Sequence, residues 1–136
     1  MNELEKAFIN NFVKKQYQER LLFEFNSDKK RENALDRFSH NIEDIVRADR
    51  IILSGTKISK PDIERELKLK KINALAYVIS SRYIQGQFFD VQEALSFCED
   101  ECMPVIIIFS EKMAFIKAEV EYGAPMKMLL WNELKS

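Results

Sequence analysis

The side chains of this chain best suited to chemistry are a lone histidine, two cysteines and two glutamates one residue apart. His40 sits in Arg37-Phe38-Ser39-His40-Asn41, with Asp36, Glu43 and Asp44 close by. Imidazole titrates near neutral pH, so His40 is the natural general acid or base. Arg37 lies three residues before it and Asp44 four after, so a helix would place the three on one face. That row would suit an anion or a phosphodiester, with Arg37 stabilising developing negative charge. Glu119 and Glu121 share a face if a strand continues through them, because strand periodicity is two. Paired carboxylates serve glycoside hydrolysis and metal-assisted hydrolysis. A hydrolase or nuclease built from these parts needs a pocket that brings His40 to Glu119 or Glu121. The plainer explanations are a helical histidine bonded to a carboxylate or carbonyl, and a solvated strand end before a turn.

Cys98 and Cys102 flank Glu99-Asp100-Glu101 and would sit on one face of a helix. Two thiolates and a carboxylate fall short of the four ligands of a structural zinc site, and His40 is far away in sequence. No metal and no cofactor are expected. Neither Ser54 nor Ser80 stands in a nucleophile elbow, which needs a glycine two residues before and two after. No P-loop, dinucleotide fingerprint or zincin helix is present. The only glycines are Gly55, Gly86 and Gly123, too dispersed to cradle a phosphate.

Composition narrows the class without naming an activity. The chain has 136 residues, 46% hydrophobic and 32% charged, enough for one domain with its own core and no staples. Met103 to Phe109, the longest uncharged apolar stretch, is too short to span a bilayer. The opening MNELEKAFINNF lacks the basic region and apolar core of a secretory signal, and two cysteines make no disulfide framework. A cytoplasmic protein is expected, with no membrane partner. The formal net charge is −1, but it is unevenly divided. Residues 1–72 carry 16 Lys/Arg against 13 Asp/Glu, and residues 73–136 carry 5 against 9. That mild imbalance reads as solvated helix faces more readily than as a nucleic-acid surface.

The elements that would position these side chains follow from periodicity. Leu4, Phe8, Phe12, Leu21, Leu22 and Phe25 predict a long amphipathic helix over 3–25. Ser27 is the expected cap of a second helix, whose apolar positions from Ala34 run to about Val46. Ile51-Ile52-Leu53 reads as an edge strand or extended loop. Ser59-Lys60-Pro61-Asp62 opens a third helix, with Pro61 in a favoured first-turn position. Residues 74–80 predict a strand, Gln85-Gly86 a turn, and Asp90 with Glu93 the capped start of a fourth helix. Strands are then expected at 105–109, 114–119 and 127–131, the first two pairing antiparallel. A right-handed parallel crossover from strand 74–80 through helix 90–99 to strand 105–109 fits the spacing. The expectation is a single α+β domain over 1–136. A helical portion over about 3–70 covers one face of a small mixed sheet formed mainly by residues 73–132.

The order of several short motifs resembles a family of small uncharacterised bacterial proteins with no assigned activity. They are Lys29-Lys30-Arg31, Arg37-Phe38-Ser39-His40, Tyr77-Val78-Ile79-Ser80, Glu93-Ala94-Leu95, Met103-Pro104, Ala114-Phe115, Glu119 and Gly123-Ala124-Pro125. The resemblance spans about Asn11 to Leu130 and departs around Gly55 to Leu69. It implies a bacterial, intracellular, single-domain protein and brings no catalytic residues.

Without a catalytic constellation, the first functional expectation is a non-enzymatic protein–protein interaction module of the kind formed by toxin immunity proteins. Its contact candidates are the acidic Glu99-Asp100-Glu101 and the turn-flanking aromatics Tyr83 and Phe88, since acids would steer a basic partner. The alternative is a small hydrolase or nuclease using Arg37, His40 and Glu119. A third reading, nucleic-acid association through Lys14, Lys15, Lys29, Lys30 and Arg31, ranks last. The broad apolar stripe of the first helix also suggests docking against a second copy.

Overall fold

Residues 1–120 and 123–133 are described by a computed structural model. The Asn2 side chain accepts the Glu5 backbone N–H and starts helix α1 (Glu3–Phe12). The expected long helix is broken after it. Val13 is extended and forms an isolated bridge with Val46, through Lys14 N–H to Ile45 O at 2.8 Å and Arg47 N–H to Phe12 O at 2.8 Å. Both valines are buried, so the bridge fastens the chain to itself where a continuous helix would have carried it outward. Helix α2 (Lys15–Phe25) then resumes. The second predicted helix is also divided, into α3 (Arg31–His40) and α4 (Ile42–Ile45), with Asn41 off the helical conformation between them. Ser27 contributes its backbone carbonyl, not a side-chain cap, accepting from Lys30 and Arg31 N–H.

The sheet has six strands: β1 (Ile51–Gly55), β2 (Ala76–Ser80), β3 (Gln87–Phe89), β4 (Val105–Ser110), β5 (Met113–Lys117) and β6 (Lys127–Trp131), in the order β1-β6-β5-β4-β2-β3. Every pairing is antiparallel, so the sheet is not mixed. β2 and β4 pair as Ser80↔Val105 and Tyr77↔Ile108, which replaces the expected parallel crossover. The cause is β3. It folds back along β2, so helix α6 (Val91–Asp100) starts at the opposite end of the sheet and returns the chain to where β2 finished.

Helices pack on both faces of this sheet, not on one. Tyr77, Ile79, Ile106, Ile108, Ala114, Ile116, Met128 and Leu130 form a core with α1 to α4 through Phe8, Phe12, Leu35 and Phe38. The alternate residues Val78, Val105, Ile107, Phe109, Phe115 and Leu129 meet α6 and α5 (Lys60–Leu69) through Leu95, Cys98, Ile63 and Leu67. Side chains alternate between the faces of a strand, so covering both faces requires an unbroken apolar run such as Val105 to Phe109. The architecture is α+β, with helices N-terminal and most strands C-terminal. The apolar stripe of α1 lies inside this core: Phe8, Ile9 and Phe12 are all buried. The stripe that suggested a second copy is therefore occupied within the molecule.

Candidate functional site

His40 is the last residue of α3, and the helix end orients its ring. Nδ1 lies 2.7 Å from the carbonyl oxygen of Asp36, one turn earlier. A carbonyl only accepts, so Nδ1 carries the proton and donates. Nε2 then faces Glu119 Oε2 at 3.2 Å, and this contact is a hydrogen bond when one proton lies between the two. Ser39 shares the same anchor, donating its hydroxyl to Asp36 O at 3.0 Å. The pair stands in an open cleft of ≈ 410 Å³ whose lining includes Asn41, Glu43, Asp44 and Pro125. His40 is exposed, with 46% of its side chain reaching solvent, so the cleft admits a partner or ligand to the ring.

Arg37 does not join them. Its guanidinium forms a two-pronged pair with Glu24 on α2, one bond being Nη1 to Oε2 at 3.0 Å. The hydrogen bond from Arg37 outweighs partial burial and holds the Glu24 carboxyl below the ordinary carboxylate range. Arg37 lines an adjoining groove with Tyr17 and Arg20, which shares Asn41 and Asp44 with the His40 cleft. Arg37 and His40 share α3 but are drawn to different partners, Glu24 and Glu119, while Asp44 on α4 borders both depressions. Glu121 lies outside the described residues. The His40–Glu119 pair can hold and pass a proton; the Arg37 charge expected to stabilise an anion beside it is engaged elsewhere.

The acidic run occupies the last turn of α6 and the residue after it. Acids there oppose the partial negative charge of a helix C-terminus, a destabilising arrangement. A buried lysine answers it: Lys117 Nζ donates to the carbonyls of Cys98 at 2.6 Å, Glu101 at 2.9 Å and Glu99 at 3.2 Å. The neighbouring Cys102 carbonyl accepts the Val120 N–H at 2.9 Å, which fastens this run to the strand end bearing Glu119. Glu43, Asp44 and Glu119 line the cleft, and Glu99, Asp100 and Glu101 lie at the end of α6, tied through Cys102 and Lys117 to the same end of β5. Four of the six, Glu43, Asp44, Glu99 and Asp100, are exposed.

The two aromatic candidates separate. Phe88 packs edge-on against Tyr77 at 4.9 Å on the α1 side of the sheet and remains half exposed. Tyr83 packs against Phe89 at 5.1 Å and Phe97 at 5.2 Å, on the α6 side. The two cysteines separate as well. α6 ends at Asp100, leaving Cys98 buried and Cys102 exposed beyond it. Burial pushes the Cys98 thiol up to about 12, so it is an inert core group. No cluster of three or more His, Cys, Asp or Glu suited to a metal occurs among the described residues. No helix among them is long and apolar enough to cross a membrane.

Arg31 also leaves the basic surface proposed for it. It is buried, bidentate to Glu5 at 2.8 and 2.9 Å, with further bonds to Phe25 O at 2.6 Å and Ile84 O at 2.8 Å. Tyr77 completes the network, its hydroxyl 2.6 Å from Glu5 Oε2. The sequence held a signal for this network: Glu5 falls on the apolar stripe with Phe8, Ile9 and Phe12, where an acid needs a partner. Lys117 carried a similar signal, two residues beyond Phe115 and therefore on the inward side of its strand. No family model matches the chain, and comparison with curated proteins and with solved structures gives no significant match.

Proposed function

We propose that this chain is a non-enzymatic protein-interaction module that binds a basic partner protein through its acidic end, in the manner of toxin immunity proteins. The observation that supports it is six carboxylates at one end of the sheet: Glu43, Asp44 and Glu119 line the open cleft, and Glu99, Asp100 and Glu101 lie at the end of α6, fastened to the chain that follows β5. Three of them crowd a helix C-terminus, where they weaken the fold rather than strengthen it. Like charges held together against their own repulsion favour encounter with a surface of opposite sign. The test is recovery of a stoichiometric partner on the tagged chain, followed by the pair Glu99→Lys and Asp100→Lys. Both side chains are exposed, so the fold is expected to survive while association slows at least about tenfold, more at low salt. Unchanged association with the recovered partner would remove this surface from the account.

A second reading has its own observation, the His40–Glu119 contact inside an accessible cleft. Under it, the pair is the general acid–base element of a small hydrolase or nuclease. A screen with phosphodiester and glycoside substrates, run beside His40→Ala, decides the matter. Turnover that disappears in the variant supports the enzyme, and equal rates in both proteins dismiss it.

A further inference from the structure

Three lysines converge on a small cavity that borders the end of α6. Lys117 and Lys127 stand directly across from each other in the β5–β6 pairing, both on the sheet face that packs against α5 and α6. Lys60, in the first turn of α5, closes the same cavity, whose volume is ≈ 70 Å³. Ile63, Leu95 and Phe115 give it an apolar lining, which the buried Cys98 and the exposed Glu99 complete. Like charges directly opposite in a sheet are destabilising, and burial adds to the penalty. Lys117 is answered by carbonyls alone, which take all three of its protons. Lys127 makes one bond, to Ile58 O at 3.1 Å, and Lys60 one long one, to Ser96 Oγ at 3.4 Å. Among the described residues, no carboxylate lies within ion-pair distance of any of the three.

We propose that this cavity is a binding site for a small oxyanion, held by Lys127 and Lys60 and drawn in by the positive charge of Lys117. The space exceeds what one water needs and suits a single phosphate or carboxylate group. The two unused protons on Lys127, and those on Lys60, supply charge-assisted bonds to its oxygens. The apolar lining excludes bulk water and strengthens those bonds. The cavity is small and the exposed Glu99 borders it, which selects against large polyanions such as nucleic acid. The proposal does not rest on the acidic surface above: its ligand is of the opposite charge and its cavity shares only Glu99 with that surface.

The experiment is a titration of the full chain with inorganic phosphate, and separately with acetate, at ionic strength held constant with sodium chloride. Backbone amide shifts of Lys60, Cys98, Lys117 and Lys127 are followed in the wild type and in Lys127→Met and Lys60→Met. These two lysines are only half buried, so both variants are expected to fold, and their circular dichroism checks it. Saturable shifts confined to these residues, weakened about tenfold or more in each variant, are the expected result. Response to phosphate alone identifies a phosphate group as ligand, and response to acetate identifies a carboxylate. No saturable shift with either anion, or shifts unaltered in both folded variants, would overturn the site.

Discussion

The residues that decide most about this molecule are charged ones in apolar surroundings. Burial alone works against the Arg31 charge, and the hydrogen bonds and attraction of Glu5 more than offset it, so the guanidinium keeps its proton. Burial and the adjacent Glu5 carboxylate push the Tyr77 hydroxyl well above its ordinary value, so it serves as a neutral donor. Removing one member leaves a buried charge without its partner. Arg31→Met is expected to lower stability by about 3–5 kcal/mol and Tyr77→Phe by about 1–3 kcal/mol, measured by urea unfolding. Glu24 gives the pH dependence. Its carboxyl is depressed below 4.5 in the folded state, so its contribution is complete above that value. As pH falls, the unfolded chain takes up the proton first, and the contribution is lost through the folded-state pKa. Glu24→Gln should therefore flatten the acid limb of the stability profile by under about 1 kcal/mol, because the pair is partly solvated. Residue type marked His40, Glu119 and Glu121 as candidates, with nearness of His40 to either glutamate only a requirement of the enzyme reading. The capture of Arg37 by Glu24 was not anticipated, because a contact between two helices leaves no trace in the spacing of either.

At the scale of elements, periodicity located every strand except one. β2, β4, β5 and β6 lie where apolar runs predicted them, β1 where an edge strand or extended loop was expected, α5 opens within Ser59-Lys60-Pro61-Asp62, and α6 begins at the expected Asp90 cap. β3 escaped because it is three residues long and its Phe88 and Phe89 flank a turn signal. Missing it reversed the inferred direction of β4, so one short strand accounts for the error in topology. The break at Val13 was equally invisible, since both sides of it carry helix-forming residues and the cause is a bridge to Val46, far along the chain. The turn before β3 rests on Gly86. Its φ of +81° favours glycine, and a Cβ there would overlap the Tyr77 hydroxyl. Gly86→Ala is expected to cost about 2–4 kcal/mol and to disturb the Tyr77–Phe88 contact, visible as a shifted Phe88 ring resonance.

At the scale of the molecule, the α+β class and the order of its parts were readable, and the layering was not. A continuous apolar run says that both faces of a strand are buried, but not which helix covers which face. Exposed acids from both halves, Glu43 and Asp44 of the net-basic half and Glu99 and Asp100 of the net-acidic half, come to one end of the sheet, which the charge count along the sequence does not show. The sheet order has a consequence for how the protein is made. β1 borders only β6, the last of the described strands, so the first strand synthesised waits for the last. Until residues 127–131 emerge, the edge of β1 and the inner faces of α1 to α4 lack their full cover. The fold closes late, through contacts of long sequence separation, and such nascent chains are slow to fold and prone to aggregate. A chain ending at Pro125 should show no cooperative unfolding transition. Adding a peptide of residues 126–133 should restore part of it, as β6 completes the sheet from outside.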